Sequence, residues 1–269
     1  MKSLSIISTT YIKEKGANLD ECLGSIFAQT VMPQSVVLVA DGKLTNELYS
    51  VVDKYKSEYP DIFVFYETET NNGNWFASNK AIELCRTDII AKIDSDDILM
   101  PTYAEKILSA FESGIDICGV YIDEFDDGTK DLITTKKTPV SHDEIYKFAK
   151  RRNPFNNPGI AFSKELADKI GGYNDMVRCE DYDFVVRMLA AGAKGANIPE
   201  SLVRYRTSRD NMKRRKNFVN TKWFIISRYR IYKSGFSSLA DFLIPCAAQL
   251  VLFIMPSALT AKMYGVLRK

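Results

Sequence analysis

The sequence predicts an α/β fold in which a mostly parallel central sheet is flanked by helices. Three observations carry this. Over the first hundred residues short apolar runs alternate strictly with amphipathic ones; the runs are apolar throughout; and acidic residues collect just after them. Residues 4–8 read as the first strand. Residues 18–29 follow with Leu19, Cys22, Leu23, Ile26 and Phe27 at helical spacing. Residues 36–40 form a second apolar strand ending on Asp41-Gly42, and 45–59 form a second amphipathic helix. A third strand at 62–66, a third helix at 75–85 and a fourth strand at 89–93 complete the series. Strands without polar alternation must be covered on both faces, which is the habit of parallel sheets. In such sheets ligands gather at the carboxyl ends of strands. Thr9, Thr10, Tyr11, Asp41 and the 94–97 segment all stand at such ends and are expected to line one crevice.

The fourth strand delivers Asp94, Asp96 and Asp97, three carboxylates in four residues, before the run breaks at Pro101. Like charges packed this closely repel unless a cation neutralises them. Mg²⁺ or Mn²⁺ suits oxygen ligands, and Mg²⁺ commonly takes one or two carboxylates with substrate phosphates. A solvated acidic turn or a helix N-cap is the alternative. The address shared with the other strand ends favours the metal.

Composition narrows the function classes. With 269 residues, 46% of them hydrophobic, the chain can bury one large core, and disorder is not indicated. The five cysteines, Cys22, Cys85, Cys118, Cys179 and Cys246, are odd in number and lack paired spacing. They read as reduced core residues of a cytosolic protein. The first strand begins almost at once, leaving no room for a signal peptide. The one histidine, His142, opens a helix within Ser141-His-Asp-Glu. That excludes Ser-His-Asp and histidine-cluster chemistry.

Several ordered segments go further. They are Leu4-Ser-Ile-Ile-Ser-Thr-Thr-Tyr11, Ser25-Ile-Phe-Ala-Gln-Thr30, Val37-Leu-Val-Ala-Asp-Gly42, Asn72-Gly73 with Ala77 and Asn79, Ile93-Asp-Ser-Asp-Asp97, and Gly171-Gly172-Tyr173 followed by Glu180-Asp181-Tyr182 and Arg187. In this order the chain, up to about Arg206, resembles the inverting glycosyltransferases of family 2, with a GT-A-like, Rossmann-type fold. The nearest flavour is the bacterial O-antigen and exopolysaccharide enzymes that extend an undecaprenyl-diphosphate-linked saccharide.

The resemblance implies a UDP-sugar donor, a lipid-linked saccharide acceptor and Mn²⁺ or Mg²⁺ as cofactor. It makes Asp96 the direct metal ligand, with Asp94 touching the ribose or the metal, and Asp97 supporting. Asp181 matches the family's base, with Glu180 as fallback; an ordinary helix start, whose dipole favours acidic residues, is the alternative for this pair. Thr9, Thr10, Tyr11, Asp41 and Asn79 fall on the nucleotide-sugar side, Asn156, Gly172 and Tyr173 on the acceptor side, and Arg187 and Arg206 in support. UDP-galactose or UDP-glucose, a GlcNAc-terminated acceptor and a β-1,3 linkage are the finer expectations. The chain departs from the family pattern at Ala40, Ser78 and Ser208, where an acidic residue, an Arg and a His are common. The rivals are a nucleotidyltransferase and a non-catalytic nucleotide-sugar-binding protein.

Residues 1–210 are therefore expected to form the catalytic domain, 1–100 binding the donor and 101–210 the acceptor. Residues 211–269 form a helical extension. Residues 204–233 carry eleven basic residues against the single acid Asp210, interleaved with Trp223, Phe224, Tyr229 and Tyr232. Residues 242–261 follow without a charge, broken by Pro245 and Pro256. Basic, aromatic and apolar residues together suit an anionic membrane surface. The expectation is a peripheral or monotopic anchor at the cytoplasmic face of the bacterial inner membrane. A helix packed on the domain or on a homodimer partner, and a true span, rank behind it. Nucleic-acid binding is not expected, since no nucleic-acid motif accompanies the basic stretch.

Overall fold

The computed structural model describes residues 2–207 and 217–255. The predicted alternation is present: β1 (Leu4–Thr10), α1 (Gly16–Phe27), β2 (Ser35–Ala40), α2 (Asn46–Glu58), β3 (Phe63–Glu67), α3 (Asn74–Leu84) and β4 (Ile89–Asp94). Each boundary falls within two residues of its expected place. Local chemistry explains several of them. Thr45 Oγ1 accepts from the Leu48 N–H at 3.3 Å and starts α2, and Gly73, at φ 98°, turns the chain into α3.

The second half adds β5 (Ile98–Leu99), α4 (Tyr103–Glu112), β6 (Ile117–Asp126), β7 (Leu132–Lys136), α5 (His142–Ala149), β8 (Ile160–Ser163), α6 (Lys164–Lys169), α7 (Glu180–Ala190) and β9 (Gly195–Thr207). All the strands join one sheet in the order β3-β2-β1-β4-β8-β6-β9-β5, with β7 beside β6. The β3-β2-β1-β4 half is parallel throughout. Beyond β4 the sheet is mixed, because β8 runs antiparallel to both β4 and β6, whereas β9 runs parallel to β6. β3 is an edge, so Val64 and Tyr66 are exposed although the run is apolar.

The sheet has a core on each face. Leu4, Ile6, Leu38, Ile89, Ala91 and Ile93 meet α1, α2 and α4 on one side. Ile7, Val37, Val39 and Ile90 meet α3 and α7 on the other. Strand alternation then puts Thr9, Asp41 and Asp94 on the α3/α7 face at the carboxyl edge. The register agrees, with Thr9 opposite Asp94 and Thr10 opposite Ala40.

Two further helices, α8 (Phe218–Lys233) and α9 (Leu239–Ile254), form an antiparallel hairpin. Tyr232 stacks on Phe242 with centroids 5.8 Å apart, and Gln249 Nε2 donates to Thr221 Oγ1 at 3.1 Å. The hairpin docks on α7 through Arg228, whose guanidinium lies 5.0 Å from the Tyr182 ring. Among the described residues no helix is long and apolar enough to cross a membrane. Ser208, Asp210 and Pro256 lie outside the described residues.

Gly159 leads the chain into β8 beside β4. At φ 81°, a Cβ there would stand 2.6 Å from Val203 Cγ2. Its N–H also donates to the Lys92 carbonyl at 2.8 Å. Gly159→Ala is expected to cost about 1–3 kcal/mol through backbone strain and overpacking. The check is the denaturant midpoint at unchanged slope, and a wild-type midpoint would count against this packing.

Candidate active site

The donor-side edge is built on β4. Lys92 and Asp94 are two residues apart on one strand, so they share a face, and Lys92 Nζ meets Asp94 Oδ1 at 3.1 Å. Lys92 is fully buried, whereas Asp94 is half-buried and reaches the crevice. Burial opposes the ammonium, but Asp94, with Tyr173 and Glu180 further off, outweighs it and raises the Lys92 pKa.

After Asp94 the chain turns sharply. Asp97 is fully buried: Oδ1 accepts from the Arg206 N–H at 2.7 Å, and Oδ2 has no hydrogen-bond partner. Arg206 Nε donates to the Asp96 carbonyl at 2.7 Å, and its terminal nitrogens pair with Glu21 and Asp127. Arg206 thus ties the acidic turn to β9. Asp96 itself is half-buried, and its carboxyl is pushed up to about 7 by burial and by the neighbouring Asp94 and Glu14. Asp97 is raised well above the carboxylate range by burial and by Asp96 and Asp94. Glu14 is held at this edge by Ser95 Oγ at 3.2 Å.

These residues fit a divalent cation whose remaining ligands come from substrate. The turn carries excess negative charge and an orphaned carboxylate oxygen. Among the described residues no three His, Cys, Asp or Glu side chains converge as a complete protein-made cage. Two carboxylates plus phosphate oxygens is a common arrangement for Mg²⁺.

Facing this edge are the N-termini of α3 and α7. Thr9 Oγ1 donates to Asn74 Oδ1 at 2.9 Å, and Asn74 Nδ2 donates to Glu180 Oε1 at 3.0 Å. Asp181 Oδ2 accepts from Asn153 Nδ2 at 3.0 Å. Cys179, just before the pair, adopts the left-handed φ of 64°. Such a conformation costs a β-carbon-bearing residue about 1–2 kcal/mol, and here it begins the helix with both carboxylates in its first turn. Burial, then Asp181, raises the Glu180 carboxyl. Burial also raises Asp181, while the Tyr182 N–H, Asn153 and Lys92 pull it back.

The Gly171-Gly172-Tyr173 loop is clamped between these helices. Tyr173 N–H donates to Asn79 Oδ1 at 2.7 Å, and Asn79 Nδ2 returns to the Tyr173 carbonyl at 2.8 Å. Both ends of the Asn79 amide, expected on the nucleotide-sugar side, hold the loop here. Gly172, at φ 67°, allows the approach, since a Cβ would lie 2.3 Å from Asn79 Oδ1. Arg187 closes the loop from α7 with bonds to the carbonyls of Ile170 at 2.8 Å and Gly172 at 2.6 Å. Tyr173 is buried with its hydroxyl unpartnered, and the charges of Lys92, Asp181, Glu180 and Asp94 act on it. Asn156 is likewise a brace, its amide donating to the Val120 carbonyl at 3.0 Å.

Asp41 accepts from the N–H groups of Asn72 and Gly73, each at 2.8 Å. It shapes the 71–73 loop, and a ligand would have to use its remaining lone pairs. Thr10 points its buried hydroxyl into the opposite face, so only its backbone borders the edge, and Tyr11 is exposed. Sequence reasoning missed Lys92, Glu14 and Asn74, and it had Asn153 only as the start of a 153–159 acceptor-side segment. For Lys92 a signal was present, a lone cation in an apolar strand two residues before Asp94.

Lys92→Met is expected to destabilise the protein by about 1–3 kcal/mol, less than for a fully enclosed pair because water reaches Asp94. Thermal unfolding checks this; an unchanged midpoint would mean that the pair contributes nothing net.

The family model described as Glycosyl transferase family 2 matches residues 5–171, and that of Glycosyl transferase family group 2 matches residues 89–267. An Escherichia coli UDP-Gal:alpha-D-GlcNAc-diphosphoundecaprenol beta-1,3-galactosyltransferase is 34% identical, covering 97% of this chain and 94% of its own. The amylovoran biosynthesis glycosyltransferase AmsE of Erwinia amylovora is 32% identical over 85% of this chain and 84% of its own. The Pyrobaculum calidifontis mannosyltransferase PcManGT, solved with GDP-Man and Mn²⁺, shares the fold with TM-score 0.64 at 17% identity, over 98% of this chain and 80% of that one.

Proposed function

The chain belongs to glycosyl transferase family 2, and from that premise we propose an inverting enzyme that moves a hexose from a UDP-sugar to a lipid-linked saccharide. The observation that carries this reading is the chain Thr9–Asn74–Glu180, which sets the Glu180-Asp181 pair across one crevice from Asp94 and Asp96. Donor-side charge and a candidate base thus face each other, as a single displacement requires. UDP-galactose is the first donor to test, and a GlcNAc-diphosphate-lipid the first acceptor, because the Escherichia coli relative is named for them. For such an acceptor the proposed place of action is the cytoplasmic face of the membrane.

Asp94 and Asp96 are the residues that would hold Mn²⁺ or Mg²⁺ with the donor's diphosphate. When bound, the ion supplies Lewis-acid stabilisation of the departing phosphate. Asp181 takes the proton from the acceptor hydroxyl as the new C–O bond forms opposite the UDP leaving group. One displacement inverts the anomeric carbon, so an α-linked donor yields a β-linkage. Asp181 is the base to test first because it matches the family's base by its place in the motif; it and Glu180 each accept one asparagine amide, and burial raises the pKa of both. A stronger base suits a weakly acidic hydroxyl.

The test is UDP release from a panel of UDP-sugars with Mn²⁺, with and without acceptor. Acceptor-stimulated release from one donor is expected, and silence across the panel would overturn the reading. Asp181→Asn should lower turnover about 10²–10⁴-fold with donor binding kept. Full activity in Asp96→Ala, or in excess EDTA, would remove the metal from the mechanism.

The Asp96 carboxyl sits at about 7 without metal, so protons compete with the ion below that pH. In the metal-free protein the folded state holds this proton where the unfolded chain has lost it. Stability from this group therefore falls as pH rises from the ordinary carboxylate range to about 7. A cation restores it above. The rise in melting temperature on adding Mn²⁺ and UDP is expected to be larger near pH 8 than near pH 6; an equal rise at both would show that Asp96 does not meet the ion.

A further inference from the structure

Helix α9 has the wrong side out for water. All nine of its exposed positions are apolar, Leu243, Ile244, Val251 and Ile254 among them, and Ile254 is 80% exposed. At about 3.6 residues per turn they fill one half of the helix surface. Its polar residues turn inward: Asp241 takes Arg151 Nε at 2.6 Å, and Gln249 meets Thr221. A surface helix of a water-soluble domain has the reverse pattern, and contiguous apolar surface of this kind marks an interaction site.

The borders of this face identify its partner. On one side runs α8, which contains no acidic residue and exposes Lys222, Arg230 and Lys233 beside Phe218 and Tyr229. On the other, by the first turn of α9, lies a groove of about 770 Å³ walled by Lys147, Lys150, Arg151 and Arg152, with Glu144 and Asp241 the acids that line it. An apolar half-cylinder between cationic and aromatic margins matches an interface whose centre is acyl chain and whose rim is phosphate. A second copy fits less well, because a two-fold contact through this face brings each cationic margin beside its like.

We infer that α8 and α9 form an in-plane docking surface for an anionic lipid bilayer, with the apolar face of α9 in the acyl boundary and the cations of α8 and of the α5 groove on lipid phosphates. The inference rests on the lipid-linked acceptor reading only for its purpose; the surface itself is argued from exposure and charge. It has a functional geometry, since α8 packs on α7 through Arg228 and Tyr182, next to Asp181. Docking would then hold the base at a fixed height above the lipid surface.

Vesicle flotation of the full chain tests this. The wild type is expected to float with vesicles containing phosphatidylglycerol and to stay down with pure phosphatidylcholine. A Leu243→Glu, Ile254→Glu double variant should bind the anionic vesicles at least about tenfold more weakly, and Lys147→Glu with Arg152→Glu severalfold more weakly. These side chains are exposed, so the fold is retained, which circular dichroism verifies. Turnover on a short-chain, water-soluble GlcNAc-diphosphate acceptor should be unchanged in both variants, which separates this inference from the transferase reading. No flotation of the wild type, or equal flotation of the Glu variants, would overturn it. So would a lipid-independent dimer that Leu243→Glu dissociates, which would assign the face to a second copy.

Discussion

The acidic turn after β4 is the constraint around which the rest is arranged. Three carboxylates within four residues repel one another, and two of them are drawn out of bulk water. Lys92 meets the first from the same face of β4, and Arg206 of β9 holds the Asp96 carbonyl with its side chain and the Asp97 carboxylate with its backbone N–H. Neither cation pairs with the Asp96 carboxylate, and Asp97 keeps one oxygen unpartnered. The turn is therefore braced yet left short of positive charge, as suits a site completed by a cation and a diphosphate.

The same logic explains why β9 is long and irregular. To carry Arg206 to the turn, the strand follows β6 past two shifts of register. β8 lies between β4 and β6, antiparallel to both, and Gly159 just before it leaves room for Val203 and Val120 by having no side chain. On the other face, Asn79 and Arg187 fix the Gly171–Tyr173 loop between α3 and α7. The carboxylates of α7 are set by these backbone clamps together with the amides of Asn74 and Asn153.

Much of this was legible in the sequence, and unevenly so. The parallel half was readable because each of its strands is one apolar run and each helix one amphipathic period. The mixed half was not: β8 is four residues long, and its pairing with both β4 and β6 is decided by tertiary contact. The acidic residues of the site were recognisable because charge at a strand end stands out. Asn74 was not, since an asparagine near a turn is ordinary. For Asn79 the motif marked the position but not the loop contact, because spacing cannot say whether an amide meets a ligand or a backbone.

The C-terminal hairpin shows how far composition alone can mislead. An uncharged run of twenty residues has the length of a membrane span, yet the helix formed in it begins before that run, contains Pro245 and presents its polar residues to the domain. What distinguishes lying on a membrane from crossing it is which half of the helix faces outward, and that is set by packing. Once Asp241 and Gln249 are used to attach α9 to α5 and α8, only the apolar half remains for the outside. That attachment leads through Arg228 to Tyr182, so the helix that carries the proposed base is also the one on which the hairpin rests. A change in how the hairpin is seated would thus be felt at Asp181 before it reached the donor edge, which is held from the opposite end of the sheet by Arg206.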